Sequence, residues 1–359
     1  MVTRMPITPI KIGTRPVGPG APLFVIAEAG VNHNGSLDLA HKLIDAAKVA
    51  GADAVKFQTF TAERLNTRNA PKAAYHVRAT GSDEEQTWFE LLKSQELSES
   101  AHRELQAHCV ERDIMFLSTP YDEESADLLD RLEVAAIKVA STDSNNLPFL
   151  AHMARMGRPM IYSTGMCDLD EVRAGVSTIR AAGCKDLVVM QCTSAYPVAL
   201  HDLNLRVLQT YADEFAAPLG FSDHSDEPEP IAALVALGLG MSVIEKHFTL
   251  DRNLPGPDHQ ASLVPDELAK VVAALRKAER TLGDGRKRVL ECEEENRGKL
   301  RKSIVAAVDI PAGSAITAGM LAFRRPGFGL PPSAFDRVVG KVAVTPIGVD
   351  EMITDDRIR

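Results

Sequence analysis

The feature that most restricts how this chain can fold is an alternation repeated along most of its length. A short apolar run of strand character is followed by a stretch of helical spacing, and the pattern recurs eight times. The strand-like runs are Leu23–Ala27, Ala54–Phe57, Ile114–Leu117, Ala136–Val139, Met160–Tyr162, Leu187–Met190, Pro218–Phe221 and Ser242–Ile244. Between and after them, stretches such as Leu37–Ala50, Glu123–Leu132, Leu169–Ala182, Leu203–Tyr211, Ile231–Leu239 and Pro265–Leu282 carry apolar residues at helical intervals. Eight β-then-α units within about 260 residues predict an α/β fold of the (β/α)₈ TIM-barrel type. A doubly wound open sheet is the rival, but no G-x-G-x-x-G turn follows the first strand.

The chain has 359 residues, more than the barrel needs. The charged stretch 283–300, with Glu293, Glu294 and Glu295 on a solvated face, reads as a linker. After it the texture changes to short apolar segments punctuated by Pro311, Gly313, Pro326, Gly327, Gly329 and Pro331. The division expected is therefore a barrel over 1–282, a linker over 283–300 and a small turn-rich β domain over 301–359.

A net charge of −9 argues against nucleic acid or an anionic membrane as partner. No run is long and apolar enough to span a bilayer, and the first twenty residues lack an apolar signal core. The five cysteines are odd in number and form no C-x-x-C pair, which argues against a disulfide framework. A reducing, cytoplasmic setting is expected.

Barrel sites form where strands end at their C-terminal side, and polar residues stand at nearly every such end. They are Glu28, Lys56 with Gln58, Thr119, Lys138 with Ser141, Ser163, Gln191 with Thr193, Ser222 with His224, and Glu245 with His247. Side chains alternate faces along a strand, so Lys56 shares a face with Gln58, Ser222 with His224, and Glu245 with His247, while Lys246 points the other way. His224 and His247, on neighbouring strands, can either bind a divalent metal or each satisfy a local hydrogen bond. Lys56 and Lys138, set in apolar strands, can bind an anion, pair with Glu28 or Glu245, or form a Schiff base. Glu28 can move a proton. Cys192 reads as a nucleophile or as a small buried hydrophobe.

The runs Ile26-Ala27-Glu28-Ala29-Gly30-Val31-Asn32-His33-Asn34-Gly35, Val55-Lys56-Phe57-Gln58-Thr59, Ser118-Thr119-Pro120, Ser163-Thr164-Gly165-Met166, Cys192-Thr193-Ser194-Ala195-Tyr196-Pro197, Ser222-Asp223-His224 and Glu245-Lys246-His247-Phe248-Thr249 resemble the N-acetylneuraminate synthase family. So does Pro255-Gly256-Pro257-Asp258-His259, and the tail from Arg301 through Arg325-Pro326-Gly327 resembles that family's antifreeze-like (SAF) domain. The resemblance implies a metal-dependent transferase of carbohydrate biosynthesis that condenses phosphoenolpyruvate with an open-chain N-acetylated hexosamine and releases phosphate. It implies His224 and His247 as ligands of a divalent ion, manganese first, with magnesium or cobalt as alternatives, and no organic cofactor. Lys56, Gln58, Thr119, Lys138, Ser141, Ser163 and Ser222 match positions that hold phosphoenolpyruvate. Glu28, Lys138 and Glu245 match the residues of the chemistry, and Ser194, Tyr196 and Asp258 match the sugar side with Glu245. Arg325 resembles an arginine that the small domain lends to the partner chain's site, which implies a homodimer.

Two departures from the family pattern stand near the sugar side. Ser141-Thr142-Asp143 replaces the common Ser-Gly-acidic run, and Ser194 stands where some members carry Asn. They leave the acceptor open between N-acetylmannosamine and a 2,4-diacetamido sugar leading to legionaminic or pseudaminic acid. The other readings are a phosphoenolpyruvate-dependent synthase acting on a sugar phosphate, a Schiff-base aldolase, and a tail that binds ice or sugar as a module.

Overall fold

The computed structural model describes residues 6–225, 227 and 229–359, so the first five residues of the expected barrel domain lie outside it. The chain divides after Asp284 into two compact units.

The first unit holds eight parallel strands: β1 Phe24–Gly30, β2 Ala54–Thr59, β3 Met115–Pro120, β4 Ile137–Val139, β5 Met160–Ser163, β6 Leu187–Cys192, β7 Leu219–Asp223 and β8 Met241–His247. Their order is β3-β2-β1-β8-β7-β6-β5-β4, with every ladder parallel. The edge strands β3 and β4 pack together, so the sheet is nearly closed as a barrel. Around it lie α1 Leu37–Val49, α2 Glu99–Glu111, α3 Glu123–Arg131, α4 Leu147–Arg155, α5 Leu169–Ala181, α6 Val207–Glu214, α7 Ile231–Gly238 and α8 Pro265–Leu282. Among the described residues no helix is long and apolar enough to cross a membrane.

Local chemistry sets the helix starts. Ser36, Ser98, Asp122 and Asp168 each accept a hydrogen bond at an N-terminus, offsetting the unpaired amides of the first turn. One helix is displaced from its expected span. The stretch Leu203–Tyr211 becomes helical only from Val207, because Asn204 takes a left-handed φ of 46° and stops the helix from propagating back.

Strand alternation divides the apolar residues into two layers. Val25, Ala27, Val55, Phe57, Val139, Tyr162, Val189 and Phe221 face the helices. Phe24, Ile26, Ala54, Leu117, Ala136, Ile161, Val188, Met190 and Val243 fill the barrel interior. The interior cluster also contains Ile10, Ile12 and Val17, which come from an antiparallel hairpin, Ile10–Ile12 with Arg15–Val17. The segment that reads in sequence only as Pro/Gly-rich is thus the barrel floor. Asp53 fastens it there. Its carboxylate meets Arg15 at 2.8 Å and Arg276 of α8 at 2.6 Å, and accepts from the Val25 amide at 2.8 Å.

The second unit begins with helix α9, Glu291–Leu300, which has no buried residues and takes up much of the expected linker. Strand β9, Ser303–Ala306, pairs antiparallel with β10, Leu321–Arg324. A small core forms from Ile304, Ala306, Ile310, Ile316, Leu330, Val338, Ala343, Ile347 and Ile353.

Candidate active site

On each strand the inward series that begins with apolar residues at the floor ends in a polar one at the mouth. Phe24 and Ile26 lead to Glu28, Ala54 leads to Lys56 and Gln58, and Val243 leads to Glu245 and His247. β1, β2 and β8 run two or three residues further than their apolar stretches, so these polar groups are held by β-ladders rather than by loops. Fourteen of the fifteen residues singled out in sequence line one cavity of about 670 Å³: Glu28, Lys56, Gln58, Thr119, Lys138, Ser141, Ser163, Ser194, Tyr196, Ser222, His224, Glu245, His247 and Asp258. The fifteenth, Arg325, belongs to the second unit and is exposed. Lys246 faces outward, as alternation requires, and pairs with Asp223 at 3.1 Å.

At the centre lie two lysines and two glutamates, each 4% exposed or less. Lys56 Nζ sits 2.7 Å from Glu28 Oε2, donates to Thr119 Oγ1 at 2.7 Å, and stands 3.8 Å from Glu245 Oε2. Lys138 Nζ is 3.5 Å from Glu245 Oε1 and donates to the Val139 carbonyl at 3.2 Å. The ion pairs contemplated from sequence are therefore present. Ser222 donates to Glu245 Oε1 at 3.2 Å, and Gln58 Nε2 to Glu28 Oε1 at 3.4 Å.

The two carboxylates are pushed apart. Burial raises Glu28, Lys56 only partly offsets this, and its pKa rises to about 7. Burial works against the Glu245 anion too, but Lys138 and Lys56 outweigh it and bring its pKa down to about 2. Two carboxyl groups separated in this way can divide the labour, one as a fixed anion and the other as a group able to exchange a proton near neutrality. Burial lowers Lys138 below the ordinary lysine value, with Glu245 offsetting part of the fall. It also raises Asp258 to about 6.

The imidazoles of His224 and His247 lie with ring centroids 5.3 Å apart. His224 Nδ1 is 3.0 Å from the Thr193 carbonyl. A carbonyl can only accept, so Nδ1 carries the proton, and Nε2 stands 3.4 Å from the Ser222 hydroxyl. His247 Nδ1 is buried with no hydrogen-bond partner, the Asp258 carboxylate standing 3.9 Å away. Burial and the neighbouring His224 hold the His247 pKa well below the usual range, so its ring is neutral. Cys192 Sγ lies 3.8 Å from His224 Nδ1; burial raises the thiol, but His224 brings its pKa down to about 6.

The hydroxyl side is tightly built. Ser141 donates to Ser163 at 3.1 Å and accepts from the Gly165 amide at 3.0 Å. A β-carbon at Gly165 would lie 2.2 Å from Ser194 Oγ, 2.7 Å from Ser141 Oγ and 3.0 Å from Cys192 Sγ, so only glycine lets these three side chains converge.

Sequence reasoning missed one wall. Arg64, Tyr75, His76 and Trp88, all in the connection 60–98 between β2 and α2, also line the cavity, as does Tyr121. The available signal was that this connection is far longer than its counterparts and carries the chain's only tryptophan among other aromatic residues.

Residues 43–287 match the NeuB family and residues 301–359 the SAF domain. The chain is 44% identical over 332 residues to an N,N'-diacetyllegionaminic acid synthase of Legionella pneumophila, covering 91% of this chain and 92% of that protein. It is 38% identical over 345 residues to the N-acetylneuraminate-9-phosphate synthase of Homo sapiens, covering 95% and 94%. The crystal structure of an N-acetylneuraminic acid synthetase from Leptospira borgpetersenii, in complex with citrate, superposes with a TM-score of 0.73 at 32% identity, covering 80% of this chain and 95% of that one. A family match over residues 43–287 and relatives alike over nine-tenths of their length lead to one conclusion: this chain belongs to the NeuB family.

Proposed function

We propose that this protein is a nonulosonate synthase: it joins C3 of phosphoenolpyruvate to the aldehyde carbon of an open-chain N-acylated hexosamine, with water adding at C2 and phosphate leaving. The carrying observation is the buried Lys56–Glu28 and Lys138–Glu245 arrangement at the mouth of a NeuB barrel. Two ammonium groups and the hydroxyls of Thr119, Ser141, Ser163 and Ser222 suit a ligand that carries both a phosphate and a carboxylate. Gln58, beside Glu28, completes that side of the site. Glu28 is assigned the proton transfer, because its pKa of about 7 lets it both take and give a proton at neutral pH.

A divalent ion, manganese first, is part of the proposal. The residues fit one in a specific sense. The Thr193 carbonyl fixes the His224 ring through Nδ1 and leaves Nε2 beside the Ser222 hydroxyl, and His247 presents a buried nitrogen with no partner. Among the described residues no set of three His, Cys, Asp or Glu side chains is arranged as a metal site, so two imidazoles would hold the ion and oxygen ligands would have to complete its shell. When bound there, such an ion supplies Lewis acidity toward an aldehyde oxygen. Tyr196, its ring tilted against His224 with centroids 4.3 Å apart, is assigned with Asp258 and Ser194 to the acceptor. The homodimer, with Arg325 lent to the partner's site, rests on family resemblance. The unpaired cysteines and the phosphoenolpyruvate substrate suit a reducing cytoplasm.

The acceptor is assigned as uncharged. An acceptor phosphate needs a cation of its own, and Arg64 at the cavity wall is already held by Asp122 at 2.9 Å and Glu124 at 2.8 Å. Mass spectrometry of products formed from phosphoenolpyruvate and matched acceptors tests this. A condensation product is expected from N-acetylmannosamine or a 2,4-diacetamido sugar. Product from the 6-phosphate alone would favour the sugar-phosphate reading instead.

A further inference from the structure

The connection 60–98 folds as a wall of the barrel mouth with a core of its own. Val31, Phe60, Ala62 and Leu92 form that core, and Trp88 packs against it. Its backbone is pressed onto the β1–α1 turn, since a β-carbon at Gly35 would lie 2.3 Å from the Ser94 carbonyl oxygen. From this base Tyr75 reaches across the mouth and stacks on Tyr196, with centroids 5.0 Å apart and planes 29° apart. Behind Tyr75 stands His76 at 3.9 Å, itself stacked on Trp88 at 3.9 Å. An aromatic string thus runs from the connection through Tyr196 to the two histidines.

We propose that Tyr75 is an acceptor-selecting residue: stacked on Tyr196, it makes with that ring the aromatic wall against which the amino sugar lays its C–H surface and N-acyl group. The inference rests on the synthase reading above and adds a residue to it. Three observations favour it. Tyr75 is half-buried and lines the cavity, yet lies outside the small core that holds the connection together. An aromatic face takes up methyl and C–H groups while leaving a phenol to donate, which matches a polyhydroxylated sugar carrying an acyl group. Burial and the nearby Asp258 carboxylate hold the phenol above its ordinary pKa, so it stays a donor.

The test is steady-state kinetics of the full chain, Tyr75→Ala and Tyr75→Phe, with phosphoenolpyruvate and acceptors that differ only in acyl substitution. Tyr75→Ala is expected to raise the acceptor KM about tenfold, the equivalent of one lost aromatic contact. The KM for phosphoenolpyruvate and the melting temperature are expected to stay put, and the preference among acyl groups to narrow. Tyr75→Phe, which keeps the ring, is expected to bring the acceptor KM back toward the unsubstituted value. Turnover with an unmoved acceptor KM in Tyr75→Ala, or equal rises in both KM values, overturns this proposal alone. Absence of condensation by the unsubstituted protein with every acceptor overturns the synthase reading and this proposal with it.

Discussion

Glu28 shows how one residue's surroundings become chemistry. It is 1% exposed, held by Lys56 and faced by Glu245, and burial dominates. Its pKa of about 7 when folded exceeds the ordinary 4.5, so the fold binds this proton more tightly than the unfolded chain does. The stability it contributes is full below about 4.5 and is lost as pH rises through about 7. Glu28→Gln, which keeps the shape of the protonated form, should flatten that part of the stability–pH curve in denaturant titrations. It should also lower kcat by about 10²–10⁴-fold and remove the limb near pH 7 from the rate profile. A rate profile with the limb intact would take the proton transfer away from Glu28. The histidines make a different prediction. His224→Ala or His247→Ala should abolish turnover and weaken manganese binding measured by calorimetry, whereas full binding by either variant would remove the proposed metal site.

At the scale of elements, the strand ends were legible because a barrel strand changes character abruptly: apolar where it is packed on both faces, polar where it opens on the cavity. The run from Val55 to Gln58 shows it, with Lys56 and Gln58 on one face and Phe57 on the other. Two elements were not legible. The connection 60–98 is built from short helices with few buried positions each, too short for periodicity to register. The N-terminal hairpin has strands of three residues, and its apolar side is explained only by the barrel interior it fills. That makes a stability prediction. Ile12 is fully buried in the floor, so Ile12→Ala should cost about 2–5 kcal/mol, read as a lower urea midpoint with an unchanged slope. A loss below about 0.5 kcal/mol, the range of surface substitutions, would show that the hairpin does not plug the barrel.

For the whole molecule, the eightfold repeat carried the fold, since eight βα units leave little choice of architecture. The acceptor was not legible, because selectivity depends on groups that converge from distant parts of the chain. Ser141, Ser194 and Cys192 meet around Gly165, and Tyr75 meets Tyr196, only after folding. Arg325 was legible as a motif residue, and it lies exposed in the second unit. The proposed condensation takes place at one cavity. The measurement that tests it most directly is phosphate release from phosphoenolpyruvate by chelator-stripped protein, with manganese added back, across uncharged and phosphorylated N-acylated hexosamines. Release is expected only when both the metal and an uncharged acceptor are present. Release without metal, or only with a sugar phosphate, would contradict that expectation.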